Sequence, residues 1–341
     1  MPESTITQIV LASRPGGPPQ RENFRIETIP MPAIPPGGLL MRVLYPSLDP
    51  YMRGRMSAAR SYAAPASIGM AMPGEAVAEV IASDQPGYAP GDIVAAQTGW
   101  CTHAISDGAG VRKIDPALAP VTTALGILGM PGFTAYGGLT VIGRPKSGET
   151  VVVAAASGPV GSLVGQLARM AGARAVGIAG GPEKCRYVFE DLRFDAAIDH
   201  RAPEFADKLA AACPNGIDVY FENVGGAIWQ GVLPLLNKFA RVPLSGLIAQ
   251  YNQQDTTAGP NLLPATMRQL LSQSVTLCGF INYDLAEGHY PAFLQTVSAG
   301  IRDGQIRYRE DITDGLENAP AAFIGMLEGR NFGKALVRVT N

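Results

Sequence analysis

The sequence predicts an α/β protein: a doubly wound parallel sheet of six strands, accompanied by a second, β-rich domain built from both ends of the chain. Three observations predict it. From about residue 120 to 300, apolar runs of strand length alternate with stretches of helical spacing. Before residue 120, and again from 308 on, short β-like runs lie between turn residues instead. A length of 341 residues is enough for two domains, each with a core of its own.

In the first region residues 39–45, 75–82 and 92–96 read as strands, punctuated by Pro35-Pro36-Gly37-Gly38 and Pro90-Gly91-Asp92, a pattern that favours a barrel-like lobe. Residues 150–156 then form a strand, 160–170 a helix, 174–179 a strand and 182–192 a helix. Strand candidates at 196–199, 217–221, 239–245 and 275–280 bring the parallel sheet to six. A helix over 290–300 precedes β-like segments at 308–312 and 335–339, so the chain is expected to return to its first lobe. The expected boundaries are 1–125 with 310–341 for the β-rich domain and 126–309 for the doubly wound one.

Composition narrows the function. Lys and Arg number 27 against 29 Asp and Glu, a net charge of −2, which supplies no field to draw in phosphate backbones or acidic lipid. Neither nucleic acid nor a membrane is expected as partner. Gly (40) and Pro (28) make up about a fifth of the chain, below the roughly 25–30% of aperiodic low-complexity sequence. Charged residues are 16%, against an average near 25%, which leaves fewer charges to cover a surface and hints at a buried subunit interface; a homodimer is expected. No run approaches ~18 uninterrupted apolar residues and no leader pattern opens the chain, so a cytoplasmic protein is expected. Cys101, Cys185, Cys213 and Cys278 form no C-x-x-C pair, and no disulfide framework is expected.

The strongest local signal is Val151 to Ser162, where a buried strand runs through Ala156-Ser157-Gly158-Pro159-Val160-Gly161 into a helix. Gly158 lets backbone approach a pyrophosphate, Gly161 allows helix and strand to pack closely, and the helix start offers free N–H groups and a positive dipole end. This is the dinucleotide fingerprint of a Rossmann sheet with Ala156 in place of its first glycine. About 20 residues on, where an acid would bind the ribose 2′-hydroxyl of NAD, the chain reads Gly177-Ile178-Ala179-Gly180-Gly181. Lys184 and Arg186 follow, either as partners of a 2′-phosphate or as solvated helix charges, and the missing acid favours NADPH. A second glycine turn, Phe221-Glu222-Asn223-Val224-Gly225-Gly226, follows the fourth strand. Asn223 either offers its amide to ribose or nicotinamide or belongs to an ordinary left-handed turn.

These residues resemble the medium-chain dehydrogenase/reductase superfamily, in its zinc-independent branch of NADPH-dependent double-bond reductases, which includes the leukotriene B4 dehydrogenase/prostaglandin reductases. The matching blocks are Leu48 to Met56, Gly129 to Tyr136, Ala154 to Gly161, Tyr220 to Gly226 and Asn331 to Lys334, spread over almost the whole chain. The resemblance implies a GroES-like catalytic domain beside the Rossmann domain. It implies that Gly158, Pro159, Val160 and Gly161 hold the pyrophosphate and Lys184 the 2′-phosphate, with His200 nearby where the family often has tyrosine. It places Asn223, Ser245, Gly246, Tyr251, Phe280, Ile281, Asn282 and Asn331 along the ribose and nicotinamide. The superfamily's zinc branch carries Gly-His-Glu and a four-cysteine lobe; here the first reads Gly74-Glu75 after Met72-Pro73, and residues 85–115 hold only Cys101, so neither ligand set is complete. His103 and His289 are expected in surface or hydrogen-bonded structural roles.

The chemistry implied is reduction of a conjugated C=C bond in an enone or enal, with hydride added at the β-carbon and charge building on the carbonyl oxygen as an enolate. One or two hydrogen-bond donors stabilise that oxygen. Tyr251 is the first choice of donor, together with the ribose hydroxyl. Tyr51 and Tyr62 are expected at the cleft between the lobes, stacking on a flat substrate, or else as half-buried core residues. The loop from Gln253 to Pro264, rich in Gly, Thr and Pro, is expected to be mobile and to help set the pocket. A quinone reductase and a non-catalytic NADPH-binding protein are the alternatives that use the same cofactor site.

Overall fold

Strand β1 (Thr5–Leu11) pairs antiparallel with β2 (Phe24–Pro30) in the computed structural model, which describes residues 5–252 and 261–340. The sequence reading passes over both strands. β2 alternates between intermediate and exposed positions along most of its length, so it shows no continuous apolar run. Next come β3 (Leu39–Pro46), the short helix α1 (Tyr51–Arg55), β4 (Glu75–Ser83), β5 (Ile93–Gln97), β6 (His103–Ser106) and β7 (Arg112–Lys113). The last five strands form one antiparallel sheet in the order β6-β3-β4-β5-β7. These elements belong to a unit made of residues up to Leu125 together with those from Glu310 on.

The other unit, Gly126–Arg309, carries the parallel sheet. After α2 (Met130–Gly137) the elements are β8 (Thr150–Ala154), α3 (Pro159–Met170), β9 (Arg174–Ala179), α4 (Pro182–Arg186) and β10 (Ala196–Asp199). Then come α5 (Phe205–Ala212), β11 (Ile217–Phe221), α6 (Gly226–Val232), β12 (Leu236–Leu244), α7 (Leu263–Ser272), β13 (Thr276–Gly279) and α8 (Tyr290–Arg302). The strand order is β10-β9-β8-β11-β12-β13, all parallel, which is the Rossmann arrangement with β8 at its centre. All five residues of β8 are buried. Its side chains alternate between two cores, Val151 and Val153 in one and Val152 and Ala154 in the other, because a strand covered on both faces is apolar at every position.

Within this unit, one expected strand and one expected helix differ from the sequence reading. β12 starts at Leu236 rather than 239, because Phe239 takes a left-handed conformation (φ 64°) where the pairing with β11 shifts register. This bulge breaks the alternation that marks a strand. The helix expected over 182–192 is regular only to Arg186 and continues as a wider turn over Tyr187–Asp191.

The chain closes its first unit with β14 (Glu310–Asp314), α9 (Ala319–Leu327) and β15 (Lys334–Arg338), β14 and β15 pairing parallel. Phe323 of α9 meets Trp100 edge-on at 5.5 Å, and Trp100 stacks on Phe24 at 5.8 Å, so early and late parts of the chain share one aromatic core.

Helix α3 packs through Gly165 against the segment that leads into β10, where an added methyl would stand 1.9 Å from Cζ of the buried Phe194 ring. Gly165→Ala is therefore expected to cost at least about 1–3 kcal/mol through overpacking. Urea unfolding should show a lower midpoint at unchanged slope, and an unchanged midpoint would mean that Phe194 yields without cost.

Candidate functional site

At the end of β8 the chain turns through Ala155, whose φ of 53° is the left-handed value that glycine adopts most readily. The template's first glycine aligns with Ala156 instead, and that side chain is fully buried, close against Gly177 of β9. Gly158 N–H donates to the Ala155 carbonyl at 2.9 Å and closes the turn. A methyl on Gly161 would lie 2.4 Å from that same carbonyl oxygen, so only glycine fits there. Pro159 opens α3 at a position where a missing N–H costs nothing. The first turn of this 12-residue helix presents N–H groups with no partner inside the helix, next to partly buried Gly158 and Val160.

The end of β9 gathers basic side chains. A methyl on Gly180 would stand 3.0 Å from His200 Nε2 and 3.1 Å from Arg201 Nε, so both side chains reach over the strand end. Lys184, partly buried on α4, interacts electrostatically with His200, while Arg186 is exposed. His200 is exposed as a residue, yet desolvation of its ring on the protein side, then the Arg201 guanidinium, hold the imidazole below the ordinary histidine range. Arg201 escaped the sequence reading because it lies beyond β10 and reaches Gly180 only through the pairing of β9 with β10. That pairing also brings an acid that the sequence reading places nowhere near: Asp199 at the end of β10. Its Oδ1 accepts the N–H groups of Gly181 (2.8 Å) and Arg201 (2.9 Å). Partial burial opposes ionisation, but these N–H groups outweigh it and hold the carboxyl below its ordinary range.

At the ends of β11 and β12, Glu222 is buried and its Oε1 accepts from the Tyr220 hydroxyl (2.9 Å) and from the N–H groups of Val224 (2.7 Å) and Gly225 (2.9 Å). Burial pushes its carboxyl above the usual range, against the pull of those donors. Asn223 is not itself left-handed; Gly225 and Gly226 are, with φ of 76° and 58°. Its amide donates to the Ala154 carbonyl at 2.9 Å and its Oδ1 accepts from Ser245 Oγ, so it ties the ends of β8, β11 and β12 together. Gly246 has the Tyr251 hydroxyl 3.2 Å from where its methyl would be. Burial raises the Tyr251 phenol above its ordinary range, partly offset by a hydrogen bond from the Leu247 backbone. The Phe280 ring turns away from this edge into the core, edge-on to Phe221 at 6.2 Å, and leaves only its backbone there. Ile281 and Asn282, both partly buried, follow it. Residues 253–260 of the loop from Gln253 to Pro264 lie outside the described residues, and α7 takes up the chain at Leu263.

Two family models match the chain: the N-terminal domain of oxidoreductase over residues 7–114 and zinc-binding dehydrogenase over residues 159–299. The chain is 49% identical over 330 residues to NADPH-dependent curcumin reductase of Escherichia coli (strain K12), covering 97% of this chain and 96% of that one. It is 37% identical over 339 residues to the NADP(+)-dependent 2-alkenal reductase of Nicotiana tabacum, covering 98% and 97%. The crystal structure of CurA from Vibrio vulnificus in complex with NADPH superposes with a TM-score of 0.94 at 49% identity, covering 98% of this chain and 99% of that one. This protein belongs to the medium-chain dehydrogenase/reductase superfamily. Among its described residues, no three or more His, Cys, Asp and Glu side chains group to hold a metal ion, and no helix is long and apolar enough to cross a membrane.

The β-rich unit of this medium-chain dehydrogenase/reductase holds the remaining candidates. Tyr51 opens α1 and is half-buried against the core, whereas Tyr62 is 64% exposed and is no core residue. Asn331 donates its amide to the Gly333 carbonyl at 2.9 Å. His103 is buried, with Nδ1 3.2 Å from Thr102 Oγ1, and His289 is exposed, with Nδ1 3.1 Å from the Glu287 carbonyl. The segment leading into α1 is anchored by Lys334, whose Nζ lies 2.6 Å from Asp49 Oδ1 and donates to the Leu48 carbonyl at 2.9 Å. Ser47 hydrogen-bonds the other carboxylate oxygen of Asp49.

Near this pair burial pushes the Glu75 carboxyl upward; Arg112 opposes the shift, Asp49 adds to it and Lys334 opposes it. A carboxyl raised by folding stabilises fully below its ordinary value of 4.5, and that contribution is lost as pH rises through the raised value. Glu75→Gln keeps the shape without the ionisation. Its thermal midpoint relative to the unaltered protein is expected to climb as pH rises from about 4.5 to 8, and a difference independent of pH would refute the assignment.

Proposed function

We propose that this protein uses NADPH to reduce the C=C bond of α,β-unsaturated ketones and aldehydes. The observation that carries the reading is the 49% identity to a curcumin reductase over nearly the full length of both chains. The residues fit the cofactor. The close meeting of Gly161 with the Ala155 carbonyl turns the start of α3 toward a pyrophosphate, which Gly158, Pro159, Val160 and Gly161 would hold. The basic side chains over the end of β9 suit a 2′-phosphate, with Lys184 and His200 as its partners. Ser245, Gly246, Ile281 and Asn282, with the backbone of Asn223 and Phe280, are proposed along the ribose and nicotinamide, and Asn331 at the nicotinamide end.

When bound, NADPH supplies the hydride that the β-carbon of the substrate receives. Tyr251 donates a hydrogen bond to the carbonyl oxygen as charge builds there. Because burial raises its phenol, Tyr251 keeps its proton at neutral pH and remains a donor. Tyr251 or a water then protonates the α-carbon, and Tyr51 and Tyr62 stack on the flat conjugated substrate. We further propose a cytoplasmic homodimer. The four cysteines are free thiols, as expected of a reducing compartment. Leu263, Met267, Leu271 and Leu277 are all exposed on α7 and on β13, the last strand of the sheet, an apolar face suited to a second copy.

Purified protein given NADPH and a panel of enals and enones of graded length is expected to oxidise the cofactor and yield saturated carbonyl products. Oxidation with quinones alone would favour a quinone reductase, and none with any acceptor would end the enzyme reading. Tyr251→Phe should lower kcat/KM by about 10²–10³-fold with NADPH affinity retained; full activity would remove Tyr251 from the reaction. Lys184→Ala is expected to lose about tenfold or more in preference for NADPH over NADH, and an unchanged ratio would reassign that lysine to the solvated surface.

A further inference from the structure

We infer that His200 reads the 2′-phosphate of the cofactor through its own protonation, so that discrimination for NADPH over NADH strengthens as pH falls. The inference rests on the NADPH reading and extends it from which cofactor is bound to how the choice is regulated.

The geometry begins at Gly180. It has no side chain, and the space a methyl would take is approached by His200 Nε2 and by the guanidinium of Arg201 together. The segment is held in place rather than draped. His200 N–H donates to the Ala179 carbonyl at 3.1 Å, and Asp199 Oδ1 accepts the N–H groups of Gly181 and Arg201, pinning residues 199–201 to 180–181. The backbone beneath the imidazole is therefore fixed, and the ring of this exposed residue lies over the carboxyl end of β9, the second strand of the parallel sheet, where a dinucleotide sheet receives the ribose 2′ substituent.

The charged surroundings come from three segments. Lys184 is on α4, Asp199 at the end of β10 and Arg201 just beyond it. Cys185 on α4 contributes no charge, since burial pushes its thiol up to about 11. Glu183 and Arg186 of the same short helix are exposed. With two permanent cations beside it and one acid already engaged by backbone N–H groups, the ring is held neutral near neutral pH. A phosphate entering this cluster reverses the balance, because an opposite charge within about 4–6 Å favours the protonated imidazole by 1–3 pK units.

Linkage makes the effect reciprocal: a ligand that raises the proton affinity of His200 binds more tightly once His200 is protonated, about tenfold for each unit. Histidine is the side chain whose ordinary value lies closest to this pH range, which makes His200 the group in this cluster able to produce such a dependence. A neutral tyrosine at position 200 would offer a hydrogen bond and no titration near neutrality. Histidine makes this subsite pH-sensitive.

The test uses adenosine 2′,5′-bisphosphate, which carries the 2′-phosphate, and 5′-AMP, which lacks it. Calorimetry in buffers of different ionisation heat between about pH 5.5 and 8 counts the protons taken up on binding. The unaltered protein is expected to take up a larger proton fraction with the bisphosphate than His200→Gln does, and the two proteins the same fraction with 5′-AMP. The bisphosphate should tighten about tenfold relative to 5′-AMP from the top to the bottom of that range. The second ionisation of the phosphate itself, near pK ~6, is common to the unaltered protein and to His200→Gln, so the difference between them reports the ring. With only three histidines in the chain, the His200 ring signal can be assigned by NMR against that variant. An unmoved His200 midpoint on binding the bisphosphate, or equal proton uptake in the two proteins, overturns the inference. If the bisphosphate binds no more tightly than 5′-AMP at any pH, the NADPH reading itself fails and takes this inference with it.

Discussion

The doubly wound unit depends on one close approach, that of Gly161 at the start of α3 to the carbonyl of Ala155 at the end of β8. Any side chain at 161 would collide with that oxygen at 2.4 Å, and the helix would have to lift away from the sheet. Because it does not lift, the unpaired N–H groups of its first turn face the edge where the parallel strands end. β8 is the central strand, so whatever follows β9 and β11 is placed on either side of this turn. The basic side chains over Gly180 and the Glu222–Asn223 turn hold their positions for that reason.

Much of the polar chemistry at this edge is spent on the chain itself. Glu222 gathers a tyrosine hydroxyl and two backbone N–H groups, Asn223 bridges a backbone carbonyl and a serine, and Asp199 accepts two N–H groups. A buried carboxylate needs such partners, since an unpaired one would cost several kcal/mol. The result is a rigid rim in which the acids are turned to the backbone, while His200 and Arg201 remain over the strand end. The same economy governs the β-rich unit. There the buried Asp49–Lys334 pair, with side chains 6% and 3% exposed, joins the segment before α1 to the last strand. Removing one partner of such a pair strands the other's charge, at a cost of about 3–5 kcal/mol.

How far the sequence could be read follows the range of each interaction. The β8 strand, its turn and α3 are legible because each need is local: a strand covered on both faces is apolar throughout, a helix meeting a strand end requires glycine, and a helix start tolerates proline. The place of Lys184 on α4 and the run without an acid after β9 are legible for the same reason, lying within a few residues of the strand end. The β1–β2 pair is not, because its half-exposed pattern resembles a loop. Neither is the start of β12, where the left-handed Phe239 interrupts the alternation.

What the sequence by itself determined was the fold class, the glycine turn between β8 and α3 and the residue types available at the sheet edge. Which of those side chains meet was decided only by the tertiary structure. Arg201 and Asp199 reach Gly180 and Gly181 because β9 and β10 lie side by side, and Asn223 is tied to Ala154 because β8 and β11 do. Phe280 turns inward because Gly138 and Phe221 leave room for its ring. Strand order is a property of the whole domain, set by how its buried faces are covered, and no local pattern of residues carries it.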